Sequence, residues 1–85
     1  MIDLTIPAHY LGSSTYTLSA IVRDGSLFLK RSWEGSDWIE VHDMRGDAVG
    51  DEMLIQVNAD LKNGPPLYAF MSSDDYDRLR KLKPV

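Results

Sequence analysis

Cysteine is missing altogether from the 85 residues. Neither a disulfide nor a thiolate metal site can hold such a chain together, so its stability has to come from packing. Histidine occurs only as His9 and His42. With no thiolate and no third histidine, the three or four donors that Zn²⁺ ordinarily takes are lacking, and neither metal nor cofactor is expected. Long apolar runs are lacking too. None approaches the ~20 residues of a membrane-spanning helix, and Met1-Ile2-Asp3 has neither the basic start nor the apolar middle of a signal peptide. A cytoplasmic protein is therefore expected. No glycine spacing opens a helix after a strand as a phosphate cradle requires. No repeat, low-complexity segment or linker divides the chain, which reads as a single domain over residues 1–85. A chain of this length buries roughly 60% of its unfolded surface, so its core is thin.

Charge is the first positive feature. Thirteen acidic side chains face nine basic ones, a net charge of -4, which argues against general binding to phosphate backbones or anionic membranes. The excess lies in the first 72 residues, which hold ten acids and five bases, whereas the remainder holds three acids and four bases.

The chain is organised around residues 16–45. Asp24-Gly25, within Arg23-Asp24-Gly25-Ser26, suits a two-residue type I′ turn in which both central residues take positive φ. Counting outward sets Tyr16 opposite Trp33, Leu18 opposite Arg31, Ala20 opposite Leu29 and Val22 opposite Leu27. Ser19/Lys30 and Ile21/Phe28 then fall on the reverse side. A second tight turn at Gly35-Ser36 pairs Trp33 with Trp38, Arg31 with Glu40 and Leu29 with His42. One face of this three-stranded meander then carries Tyr16, Trp33, Trp38, Leu29, Leu27 and Val22. Ile21, Phe28, Ile39 and Val41 share the other, and both faces want cover.

Before the meander, Ile2, Leu4 and Ile6 alternate with Asp3 and Thr5, as in an edge strand that Pro7 ends or confines to the sheet margin. Residues 8–15 read as a loop in which Tyr10 anchors on the sheet. After the meander, residues 44–52 hold two glycines and three carboxylates and read as a solvated loop. Residues 53–61 alternate again, and Lys62-Asn63-Gly64-Pro65-Pro66 forces a turn before a last strand over residues 67–71. Ser72 and Ser73 are N-cap types, with Asp75 three places after Ser72, so a helix starts there. Its acids precede its bases, in keeping with the helix dipole, with Asp74/Arg78 and Asp77/Lys81 four apart, and Pro84 ends it. Tyr76, Leu79 and Leu82 form a stripe that must lean on the sheet. The expected fold is mainly β, a strongly curved antiparallel sheet or small partly open barrel of five to six strands with one C-terminal helix.

No residue set points to catalysis. Asp43, Asp47, Asp51 and Glu52 sit in a segment whose glycines do not fix their separation. Ser13, Ser14, Thr15, Ser72 and Ser73 lack a nucleophile-elbow pattern. The spacing of the acids does not match a Ca²⁺ loop, and Arg45-Gly46-Asp47 is a chance tripeptide. The favoured reading is a non-enzymatic, acidic protein-binding module. Glu34, Asp37, Glu40, Asp43, Asp47, Asp51 and Glu52 would form its acidic edge and Trp38 its aromatic anchor. Its partner would be a protein with a basic surface, and it would act as a small inhibitor covering a nucleic-acid-binding surface. By functional analogy alone, phage-encoded inhibitors of host defence complexes work in this way. The alternatives are a single-strand nucleic-acid-binding barrel stacking bases on Tyr16, Trp33 and Trp38, and an assembly subunit that oligomerises through Ile21, Phe28, Ile39 and Val41.

Overall fold

The computed structural model describes residues 2–10, 15–33, 35–60 and 66–82. Glu34, the expected Gly12-Ser13-Ser14 loop, Leu61, most of the expected turn at 62–66 and the stop at Pro84 lie outside the described residues. The described residues form β1 (Leu4–Ala8), β2 (Tyr16–Arg23), β3 (Ser26–Arg31), β4 (Ile39–Glu40), β5 (Met44–Val49), β6 (Glu52–Val57), β7 (Leu67–Ser72) and α1 (Ser73–Leu82). All pairing is antiparallel, in a four-stranded sheet of order β1-β2-β3-β4 and a three-stranded sheet of order β5-β6-β7. The sheets meet at a bridge in which His9 N donates to Phe70 O and Phe70 N to His9 O, at 3.2 and 2.8 Å. They do not close into a ring, so the architecture is two antiparallel sheets and a C-terminal helix.

The Asp24-Gly25 turn forms as its chemistry requires, with φ of 53° and 78°. It sets the β2–β3 register at Leu18↔Arg31, Ala20↔Leu29, Ile21↔Phe28 and Val22↔Leu27. Tyr16 and Trp33 also meet, edge to face, with ring centroids 4.8 Å apart. β1 is the edge of its sheet, as the alternation predicts, but Pro7 lies inside it, opposite Thr17.

The next pairing departs from expectation. Phe28 stands opposite Glu40 and Leu29 opposite Ile39, in place of the Arg31/Glu40, Leu29/His42 and Trp33/Trp38 pairs. The connection takes up residues 32–38, with Gly35 at φ 84° and Ser36 N donating to Trp33 O at 3.3 Å. Shifting a strand by an odd number of residues turns its side chains over, and burial decides which way. Ile39 and Val41 go to the core side and Trp38 to the outside. Two of the four residues of the expected oligomer face are therefore taken by the core.

The segment read as a solvated loop is a strand. β5 pairs with β6 from Met44↔Val57 to Val49↔Glu52 around a Gly50-Asp51 turn, in which Gly50 has φ 61°. A positive φ at the first central residue is the requirement of a II′ hairpin. The glycine at 46 is needed for another reason. A Cβ there would stand 2.5 Å from the Tyr76 ring, so the helix packs the phenol end of that ring directly against the strand.

β6 ends earlier than the alternation predicts, because Asn58 takes φ 57°, a conformation Asn tolerates better than other side chains. Its side chain is buried and ties the β4–β5 connection to the end of β6. Oδ1 accepts from His42 N and Asp43 N at 2.9 and 3.2 Å, and Nδ2 donates to Glu40 O at 2.8 Å. In α1, Ser72 Oγ accepts from Asp75 N at 3.1 Å, as a cap should. The ion pairs are Asp75–Arg78 and Asp77–Arg80, three apart, not the expected pairs four apart. The helix buries Leu79, while Tyr76 and Leu82 pack against the common core. That core takes Ile6, Leu18 and Leu29 from the first sheet and Ile55, Val57 and Met71 from the second.

Candidate functional site

The expected acidic edge is dispersed. Asp43 precedes β5 and Glu52 opens β6 opposite Val49, so six residues of extended chain, about 20 Å, separate these two members. Several members already have partners within the chain. Glu52 receives His9 Nε2 at 2.8 and 3.0 Å on its two oxygens. Asp43 lies 3.6 Å from Arg45 Nε, whose Nη2 reaches Asp60 at 3.1 Å. Asp47 accepts from Gln56 Nε2 at 2.9 Å, and Glu40 Oε1 is 3.9 Å from His42 Nε2. Asp37 and Asp51 are exposed, as are Asp47 and Glu40. Of the acids, Asp37 and Glu40 flank Trp38 in the chain.

The register brings together a different constellation. With Ala20, Leu29 and Ile39 buried, the neighbouring row Ile21, Phe28 and Glu40 lies side by side on the outer face of the first sheet. Continuing the same register puts Lys30 beside Trp38, and Lys30 Nζ lies 5.9 Å from the indole centroid. Ile2 is 52% exposed and Trp38 41%. Ile2, Ile21, Phe28 and Trp38, with Arg23, line a shallow depression of about 340 Å³. An apolar centre rimmed by charge is the composition of a protein contact surface.

A second hollow, of about 430 Å³, shares Ile2 and Trp38 with the first and continues to Lys30, Arg31, Trp33 and Ser36. The Arg31 guanidinium carbon stands 4.6 Å from the centre of Trp33, itself 47% exposed. Trp33 and Trp38 thus flank one hollow from the two ends of the β3–β4 connection, each with a cation against it. Burial pushes the Tyr16 phenol above its usual pKa of 10.0, while the positive charge of Arg31 works against that rise.

On the second sheet, Tyr10 does anchor as expected, stacking on Tyr68 and Phe70 with centroids 5.9 and 6.4 Å away. His9 stacks on Phe70 at 5.3 Å. His9, Glu52, Ser72 and Asp75 border a depression of about 240 Å³. The chemistry there is structural: Ser72 caps the helix, Asp75 holds Arg78 and His9 holds Glu52. Among the described residues no group of three or more His, Asp or Glu is placed to hold a metal ion.

The sequence reading set Lys30 and Arg31 near the two tryptophans but missed Ile2, Arg23 and Ser36 as members of a common surface. Parity carries the signal that sets Lys30 beside Trp38. If Ile39 is assigned to the core, Trp38 must point outward and Lys30 becomes its cross-strand neighbour. Comparison with protein-family models, with curated proteins and with solved structures finds no match to this chain.

Proposed function

We propose that the chain is a non-enzymatic protein-binding module that docks through the outer face of β1–β4, with Trp38 as its anchor. The observation that carries the reading is the exposure of Trp38 and Ile2 beside Ile21 and Phe28 on one strand-backed surface. Aromatic anchors set in an apolar, charge-rimmed patch dominate protein interfaces. Asp37 and Glu40 beside the anchor, within a chain of net charge -4, suit a partner with a basic surface. A module of this kind works as an inhibitor by covering that surface.

A photo-crosslinking residue at position 38 tests the proposal against one at position 51, in the hairpin turn of the other sheet. A protein adduct at 38 and none at 51, lost in Phe28→Glu, is the expected result. A nucleic-acid adduct, or equal adducts at both positions, would overturn it. The electrostatic part requires affinity to fall as ionic strength rises. A second reading, single-strand nucleic-acid binding, draws on the exposure of Trp33 and Trp38 next to Arg31 and Lys30. Quenching of tryptophan fluorescence by an oligonucleotide at low salt is the outcome that would favour it.

A further inference from the structure

We infer that the hollow between Trp33 and Trp38 receives a single carboxylate, carried next to an apolar side chain on the protein partner. The inference rests on the docking face proposed above and names the chemistry of one of its contacts.

The first argument is charge. Among the described residues Arg45, Arg78 and Arg80 each have a carboxylate partner, whereas Arg23, Lys30, Arg31 and Lys81 have none, and the first three of these border the two joined hollows. In a chain with thirteen acids, three cations left without counter-charges around one surface depression are complementary to an anion. The second argument is hydrogen bonding. Arg31 Nε and Ser36 Oγ are both shut off from solvent without a partner, and both residues line the hollow. These are donors that the chain itself leaves unpaired, and a carboxylate that draws the guanidinium edge and the serine hydroxyl toward the hollow accepts from both. Arg is the side chain whose planar fork matches a carboxylate.

The third argument sets the size and the rest of the ligand. The hollow runs into the apolar depression through Ile2 and Trp38, so an aliphatic side chain adjoining the carboxylate lands on Ile21 and Phe28. A phosphodiester strand is the poorer fit. It would extend its charge past the hollow onto exposed Asp37 and Glu40, and each indole already has a cation against it.

The test is a titration of the ¹⁵N-labelled chain with N-acetyl-leucyl-glutamate amide. N-acetyl-leucyl-glutamine amide serves as the neutral twin, and inorganic phosphate and an eight-nucleotide oligothymidylate as rival anions. The indole N–H signals of Trp33 and Trp38 and the Nε–H signal of Arg31 report binding. Saturable shifts with the acidic dipeptide are expected, with about tenfold weaker binding of the neutral twin. Arg31→Gln should erase that preference and Ser36→Ala should weaken it by about threefold. Equal affinity for the twins, no effect of Arg31→Gln, or tighter binding of phosphate or oligothymidylate overturns the inference. If Arg31→Gln fails to fold, as its near-ultraviolet circular dichroism would reveal, Lys30→Gln and Ser36→Ala replace it, and each must weaken the preference for the acidic dipeptide by about threefold. Failure of the docking reading looks different: the crosslink at position 38 is lost while the dipeptide still titrates Arg31.

Discussion

Replacing Asn58 separates two contributions that one side chain makes to the fold. Asn58 is 2% exposed, sits at φ 57°, and holds His42 N, Asp43 N and Glu40 O through its amide. Glycine at 58 keeps the backbone conformation freely accessible but removes all three hydrogen bonds, each worth about 1 kcal/mol net. Asn58→Gly is therefore expected to cost about 3 kcal/mol, less whatever entering water restores. Alanine loses the same bonds and also sets a Cβ in a left-handed conformation, adding about 1–2 kcal/mol. A domain of this size has roughly 4–13 kcal/mol to lose, so Asn58→Ala removes at least about a third of its stability. Urea denaturation followed by circular dichroism measures both variants. The decisive quantity is their order: alanine must be the worse substitution. Equal midpoints would refute the backbone argument, and a loss under about 1 kcal/mol for both would refute the hydrogen-bonding one.

Gly46→Ala is expected to destabilise the protein by about 1–3 kcal/mol, as overpacked sites do, because the new methyl enters the Tyr76 ring. In a Tyr76→Ala background most of that cost should vanish, and additive losses in a double-mutant cycle would show that the ring is not the obstacle. Alkaline pH tests Tyr16. Its phenol titrates higher in the folded chain than in the unfolded one because it is buried. The stability it lends is complete below the unfolded value of 10.0 and disappears as pH rises through the elevated folded value. Tyr16→Phe should therefore flatten the decline in urea midpoint between about pH 9 and pH 11, and an unchanged slope would contradict the burial argument.

The legible parts of the fold are those decided by neighbours in the chain. Asp24-Gly25 dictates one turn geometry, and the β2–β3 register follows from it by counting. Ser72 and Asp75 likewise locate the start of the helix. The β3–β4 register was not legible in this way, since seven residues intervene and only two pairs form, so burial of Ile39 settles the matter from a distance. β5 was hidden for a similar reason. Gly46, Asp47 and Gly50 read as loop residues, and the strand acquires its order from β6 and from a ring supplied by the helix. The candidate site inherits both errors. The sequence singles out Trp38, but its neighbours depended on the misread register, and a list of acids does not reveal which of them His9, Arg45 and Gln56 have engaged.

The bridge between His9 and Phe70 has a consequence for how the molecule comes together. Every ladder in the first sheet joins positions within the chain segment ending at Glu40, and every ladder in the second lies within the segment beginning at Met44. Each ribbon can thus zip from short loops, whose closure entropy is small. Only the fastening of one ribbon to the other spans most of the chain, and contacts of that reach are the slow ones in folding. Hydrogen exchange should accordingly find the His9 and Phe70 amides opening while the Ala20 and Leu29 amides stay protected. The protein is a pair of locally wired hairpin stacks joined through one shared core, with the His9–Phe70 bridge closing one margin.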